Sequence, residues 1–135
     1  MQKTRFYIAA RLKRVGEAKG LRVRLEDRGY QVTSSWLDRG YQPEETGFAS
    51  VVLAREAADT GLQEVRDCNA LILLSEKHSS ARTVGGGGRH VEVGYALALS
   101  KTIAIIGERE NVFHFVSGVL CFANADELLK WAMSL

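Results

Sequence analysis

Apolar residues along the chain fall into two alternating rhythms. Residues 5–10 (RFYIAA), 69–75 and 101–107 are short, nearly unbroken apolar runs, the pattern of strands covered on both faces. After the first run, Leu12, Val15, Ala18, Leu21 and Leu25 recur at spacings of three and four. That spacing predicts an amphipathic helix over 11–28, its arginines and lysines on the other face and Gly29 at its end. The β-branched and aromatic stretch 30–36 (YQVTSSW) predicts a second strand with Trp36 at its carboxyl end. A loop through Pro43 follows, then a helix over 48–67 with Ala54, Ala58, Leu62 and Val65 on one face. Val91, Gly94, Tyr95 and Ala98 predict a further helix that buries this stripe and carries Glu92 in its first turn, off the stripe. Residues 119–122 read as a fifth strand and 126–133 as a terminal helix capped by Asn124. Strands and helices alternating in this way imply an α/β fold: one domain, 1–135, built on a doubly wound five-stranded parallel sheet of order 2-1-3-4-5 with helices on both faces. The carboxyl ends of the first and third strands would then flank one crevice, where open α/β sheets place their ligands.

Composition narrows the function classes. A length of 135 residues suffices for a core without staples. A net charge of +2, with basic residues gathered in the first helix, gives no footprint for a nucleic-acid polymer. No apolar stretch is long enough to span a membrane, and the chain opens straight into a strand pattern; a cytoplasmic protein is the expectation. Cys68 and Cys121 are expected as free thiols, and the three histidines show no metal spacing, so neither metal nor cofactor is expected.

The chemistry gathers after the third strand, in ARTVGGGGRHVEVGYALALS (81–100). Four consecutive glycines between a strand and a helix imply a backbone that a ligand approaches closely, or a simple mobile loop. With no Gly-Lys-Ser/Thr following, the stretch is not a P-loop. It is not a dinucleotide fingerprint either, since the sixth position counted from Gly85 or Gly86 is His90 or Val91. Gly86, Gly87, Gly88 and Arg89 could offer N–H groups and a positive charge to an anion, and Arg11 or Arg14 could reach a phosphate or a ribose oxygen, or be a plain solvated charge. Glu92, ionised at a helix start, is a candidate nucleophile toward an electrophilic carbon such as a sugar C1, or a plain helix-terminal charge. Trp36 is either a platform for a nucleobase or a core tryptophan.

GGRHVEVGYALALSKTIAIIG resembles the Glu-Leu-Gly-Tyr-Ala segment of the nucleoside 2-deoxyribosyltransferase superfamily, which includes the deoxynucleoside-monophosphate N-glycosidases. The likeness runs from FYIAA to ENVF near residue 111. It implies a flavodoxin-like fold and a glutamate, Glu92 here, that attacks C1′ of a deoxyribose and forms a glycosyl-enzyme ester, resolved by a second base or by water. It implies that a tyrosine of the first strand, Tyr7 here, orients that glutamate; Phe6 stands one position away and has no hydroxyl. It also implies a small-molecule partner, a deoxynucleoside or its 5′-monophosphate, and a homodimer or higher homo-oligomer in which residues 108–115 complete a neighbour's site.

Two positions depart from the superfamily pattern. An aspartate is expected eight residues before the third strand opens, yet Gly61 stands there and Asn69 opens the strand. Asp59 is the nearest acid, about 200° round the helix from position 61. Asp59 is therefore the expected leaving-group acid only if the helix shifts register; Asp38, Glu76 or water are the other sources. Six residues before Glu92, where transferases carry aspartate and monophosphate hydrolases serine, stands Gly86. A catalytically silent nucleotide-binding or signalling module is the alternative that these departures favour. A flavin carrier lacks support, because no Ser/Thr-rich phosphate loop follows the first strand.

Overall fold

The computed structural model describes residues 3–39, 51–77 and 87–135. Its five strands are β1 (Arg5–Ala9), β2 (Gln31–Val32), β3 (Ala70–Leu74), β4 (Thr102–Ile106) and β5 (Leu120–Phe122), in the order β2-β1-β3-β4-β5. Every pairing is parallel, with Tyr7 opposite Leu71 and Leu73 opposite Ile105. This is the expected flavodoxin-like sheet. β3 is buried at all five positions because helices cover it on both sides.

Four helices accompany the sheet among the described residues: α1 (Val15–Asp27), α2 (Val51–Asp67), α3 (Gly88–Ala98) and α4 (Ala125–Ala132). α1 and α4 share one face, tied by Arg24 to Asp126 at 2.6 Å and by the Tyr30 hydroxyl donating to Ala132 O. Right-handed crossovers put α2 and α3 on the other. Successive side chains of β1 therefore part company. Phe6 packs edge-on to Tyr30 and Trp131 on the α1/α4 side, and Tyr7 faces α2 and α3.

Three expectations need correction. The second strand stops at Val32, and Ser35–Asp38 forms a 3-10 turn. The cause lies in two side chains that stand in for a strand: Ser34 Oγ accepts the Ile8 N–H at 3.1 Å, and the Trp36 indole N–H donates to Ile8 O at 2.7 Å. The first helix begins with a 3-10 turn, Leu12–Arg14, before α1, although Ala18, Leu21 and Leu25 are buried as the spacing predicts. α3 buries Arg89, Val93 and Ala96, not the expected stripe, and Val91 is 63% exposed. The terminal helix is capped as expected, Asn124 Oδ1 accepting the Glu127 N–H at 2.9 Å. Gly107, with φ +115, has no room for a side chain, since a β-carbon there would meet Ser75 Oγ at 2.5 Å.

Candidate active site

Tyr7, the middle residue of β1, meets Glu92 of α3 on the sheet face covered by α2 and α3. Tyr7 is 1% exposed, and its hydroxyl donates to Glu92 Oε2. Burial, then the charge of Glu92 and the hydrogen bond to it, push the Tyr7 phenol well above its ordinary range; Glu64 adds in the same direction and Arg39 opposes. The phenol therefore stays a neutral donor at any physiological pH. α3 starts at Gly88, so Glu92 lies in its second turn and not its first. The macrodipole fades within one turn, so the Tyr7 hydroxyl does more to position this carboxylate than the helix end does.

Gly61 is the third member of the cluster. A β-carbon built on it would sit 3.7 Å from Glu92 Oε2 and 3.8 Å from Tyr7 Oη. Position 61 thus faces Glu92 Oε2, and a methyl there would make ordinary contact with both side chains. α2 turns Ala54, Ala57, Gly61, Glu64 and Val65 inward, while Ala58 and Asp59 are exposed. Of the expected Ala54-Ala58-Leu62-Val65 face, Ala54, Leu62 and Val65 turn inward and only Ala58 is exposed. Asp59 is not brought to Glu92, because the register does not shift and two residues of helix carry its side chain to the far side.

The other expected ligands are engaged elsewhere. Arg89 is 8% exposed and forks onto Glu110, Nη2 to Oε1 at 2.5 Å and Nε to Oε2 at 3.4 Å, which fastens the first turn of α3 to residues 108–115. Arg11, 7% exposed, lies 3.7 Å from Glu76, a buried carboxylate that also has Lys13 and Arg14 at 3.3 Å. Burial pushes Glu76 up, but the hydrogen bonds and charges of Lys13 and Arg14 outweigh it and hold the carboxyl below its usual range. Asp38 is likewise held low by its forked contact with Arg22. Neither acid is a proton donor at neutral pH. Trp36 is 4% exposed with its indole N–H satisfied, a prop for β1 and not a base platform. Gly87 precedes α3 as its N-cap and Gly88 opens it, whereas Gly86 lies outside the described residues.

Sequence reasoning missed Glu64. It is half-buried on the inner face of α2, one turn beyond Gly61, and both its oxygens accept the Ser35 N–H, at 3.1 and 3.2 Å. Its spacing from Gly61 was the available signal. A separate groove of about 740 Å³ opens on the opposite sheet face, between α1 and the start of α4, lined by Arg14, Arg24, Ser75 and Asn124. Its arginines are paired with Glu17 and Asp126, and it shares no residue with the Tyr7–Glu92 cluster. Among the described residues, no three His, Cys, Asp or Glu side chains converge as metal ligands do, and no helix is long and apolar enough to cross a membrane.

Two solved structures share this architecture. A CMP N-glycosidase from Clostridium botulinum superposes with a TM-score of 0.60 at 16% identity, covering 97% of this chain and 99% of that one. A 2-deoxyribosyltransferase from the psychrotolerant bacterium Bacillus psychrosaccharolyticus gives 0.64 at 19% identity, over 92% and 89% of the two chains. No family model and no curated protein matches the chain. At these identities the likeness establishes the fold, and it agrees with the resemblance carried by the segment around Glu92.

Proposed function

We propose that this protein cleaves or transfers at the N-glycosidic bond of a 2′-deoxynucleoside or its 5′-monophosphate, with Glu92 as nucleophile. The observation that carries the reading is the Tyr7 hydroxyl on Glu92 Oε2 beside Gly61. Tyr7 fixes Oε2 and so leaves the other carboxylate oxygen oriented for attack on a sugar C1′. Attack forms a C1′–O ester and breaks the C1′–N bond, whose electron pair leaves with the base. Water, or a second base, then opens the ester and restores the carboxylate. Both fold neighbours are named for chemistry of this class. Because Arg11 and Arg89 are paired with buried carboxylates, the reading gives a 5′-phosphate to the backbone of Gly87 and Gly88. Val112, Phe113 and Phe115 are 72, 66 and 68% exposed, which fits the subunit contact implied by the resemblance.

The test is release of free base from a panel of deoxynucleosides and monophosphates, followed by chromatography, together with intact-protein mass spectrometry for the ester. Glu92→Gln, which keeps an acceptor for Tyr7, should abolish both signals and leave the fold intact. Undiminished release by that variant would remove Glu92 from the chemistry. The binding-module reading is favoured by the missing acid at position 61; saturable binding of the panel with no base released from any member would establish it.

A further inference from the structure

Breaking a glycosidic bond by retaining chemistry takes two carboxyl groups about 5–5.5 Å apart, one ionised to attack and one protonated to assist the leaving group. The residue facing Glu92 from α2 is a glycine, and Asp59 points the other way. We propose that Glu64 is the second carboxyl of the site, the acid that protonates the departing base, an assignment that rests on the reading of Glu92 as nucleophile. Position 64 is i+3 from Gly61, which puts their β-carbons about 5–6 Å apart on the same helix face. The β-carbon direction of Gly61 already points at Glu92 Oε2, 3.7 Å away. Helical side chains lean toward the helix N-terminus, and α2 runs antiparallel to β3, so the Glu64 side chain leans toward the space beside Gly61 and the carboxyl ends of the strands. Both its oxygens share a single donor, the Ser35 N–H, and a swing of the carboxyl toward a bound base leaves one oxygen there.

The charges around it suit the role. Burial pushes the Glu64 carboxyl up against the opposing pull of the Ser35 contact and Arg39, and Asp67 on the same helix adds to the rise. Tyr7, across on β1, is neutral and feels the charge of Glu64. Glu76 and Asp38, by contrast, are both held low. In the first step the Glu64 proton passes to the base nitrogen as C1′–N breaks and the Glu92 ester forms. In the second, Glu64 carboxylate takes a proton from water, whose oxygen attacks C1′, and Glu92 leaves as carboxylate. Atoms and charge balance over the cycle.

Glu64→Gln tests this, since Gln retains a carbonyl for the Ser35 N–H and should fold with an unchanged melting temperature. Turnover of ordinary deoxynucleosides should fall by about 10²–10⁴-fold, the usual contribution of a general acid. Turnover of the 2-deoxyriboside of 4-nitrophenol, whose phenolate leaves without a proton, should stay within a few-fold of the unaltered protein. The alkaline limb of the kcat/KM profile for deoxynucleosides should disappear as well. Equal losses on both substrates, or none on either, would overturn the assignment and leave Glu64 as a support for the 3-10 turn. Glu92→Gln is the control: loss of both substrates sustains the nucleophile whatever Glu64 does. If the unaltered protein turns over neither substrate, Glu92 and Glu64 lose their roles together.

Discussion

Gly61→Ala has two effects of opposite sign that the structure separates. The residue sits in the interior of α2, and its backbone is not among the positive-φ glycines, so alanine can adopt its conformation. Replacing a helical glycine with alanine removes conformational freedom from the unfolded chain and stabilises by roughly 0.5–1 kcal/mol. The new methyl would lie 3.7 Å from Glu92 Oε2 and 3.8 Å from Tyr7 Oη, ordinary contact distances that displace nothing. The melting temperature should therefore rise by about 2–5 °C for a domain of this size. On the proposed reading, the same methyl crowds the carboxylate that must meet the sugar. Displacing a reacting group by about 1 Å costs on the order of 10²-fold, so kcat/KM for base release should fall at least tenfold while the protein becomes more stable. Thermal denaturation and the base-release assay on one preparation measure both. A lower melting temperature would refute the contact geometry at position 61. A higher one with undiminished turnover would move the reacting atoms away from the Gly61 side of Glu92.

Tyr7→Phe keeps the ring in the core and removes one charge-assisted hydrogen bond of about 1.5–3 kcal/mol, so base release should slow by roughly 10–150-fold; an unchanged rate would make Tyr7 a packing residue only. Arg89→Met strands the buried Glu110 carboxylate and should lower unfolding stability in urea by about 3–5 kcal/mol, with Arg89→Met/Glu110→Leu recovering much of it. Loss of monophosphate affinity by Arg89→Met at unchanged stability would make Arg89 a phosphate ligand instead. Burial, with help from Arg89, pushes His90 and His114 below the usual histidine range, and His114 Nδ1 accepts the Glu110 N–H at 2.9 Å as only a neutral ring can. The unfolded chain takes up these protons first as pH falls below about 6.5, so stability should be lost on acidification through that point. Melting temperatures measured from pH 8 to 5 should show it, and His114→Gln should flatten the slope; an equal slope in that variant would place the linked protons elsewhere.

How much of this was legible in the sequence depends on whether a backbone pattern or a side-chain partner decides the matter. β3 and β4 were readable because a strand covered on both faces must be apolar throughout. β2 was misread because the Ser34 hydroxyl and the Trp36 indole replace ladder bonds, and their residue types look strand-like in a single sequence. The face of α3 was misread for a related reason: Arg89 is buried only because Glu110 neutralises it from 21 residues away, a pairing that periodicity cannot register. Glu92 was legible from the glycine run and helix start before it, Tyr7 only from the resemblance, and strand alternation then separates Tyr7 from Phe6. Glu64 carries no motif and became visible only once Gly61 was seen to face Glu92.

Two locally unfavourable choices meet at one point of this fold. A glycine inside a helix costs up to about 1 kcal/mol relative to alanine, and α2 accepts that cost where a methyl would fit without collision. The buried Tyr7 hydroxyl is withdrawn from water beside it, at a desolvation cost that its hydrogen bond to the half-buried Glu92 offsets only in part. Other inward features follow local rules: β3 is uniformly apolar, Asn124 caps α4, and the inward arginines Arg11 and Arg89 are each paired with an acid. Glycines also stand inside α1 (Gly16, Gly20) and α3 (Gly94), but a β-carbon at those meets nothing within 4 Å. At Gly61 it would touch both Tyr7 and Glu92, and that coincidence is what points to a functional constraint. A module that only bound a nucleotide would gain nothing from holding Tyr7 against Glu92, because Glu92 repels a phosphate; a nucleophile needs the orientation. Glu92→Gln should therefore leave a binding module's affinity for a monophosphate unchanged or improved, while in an enzyme it should separate binding from turnover.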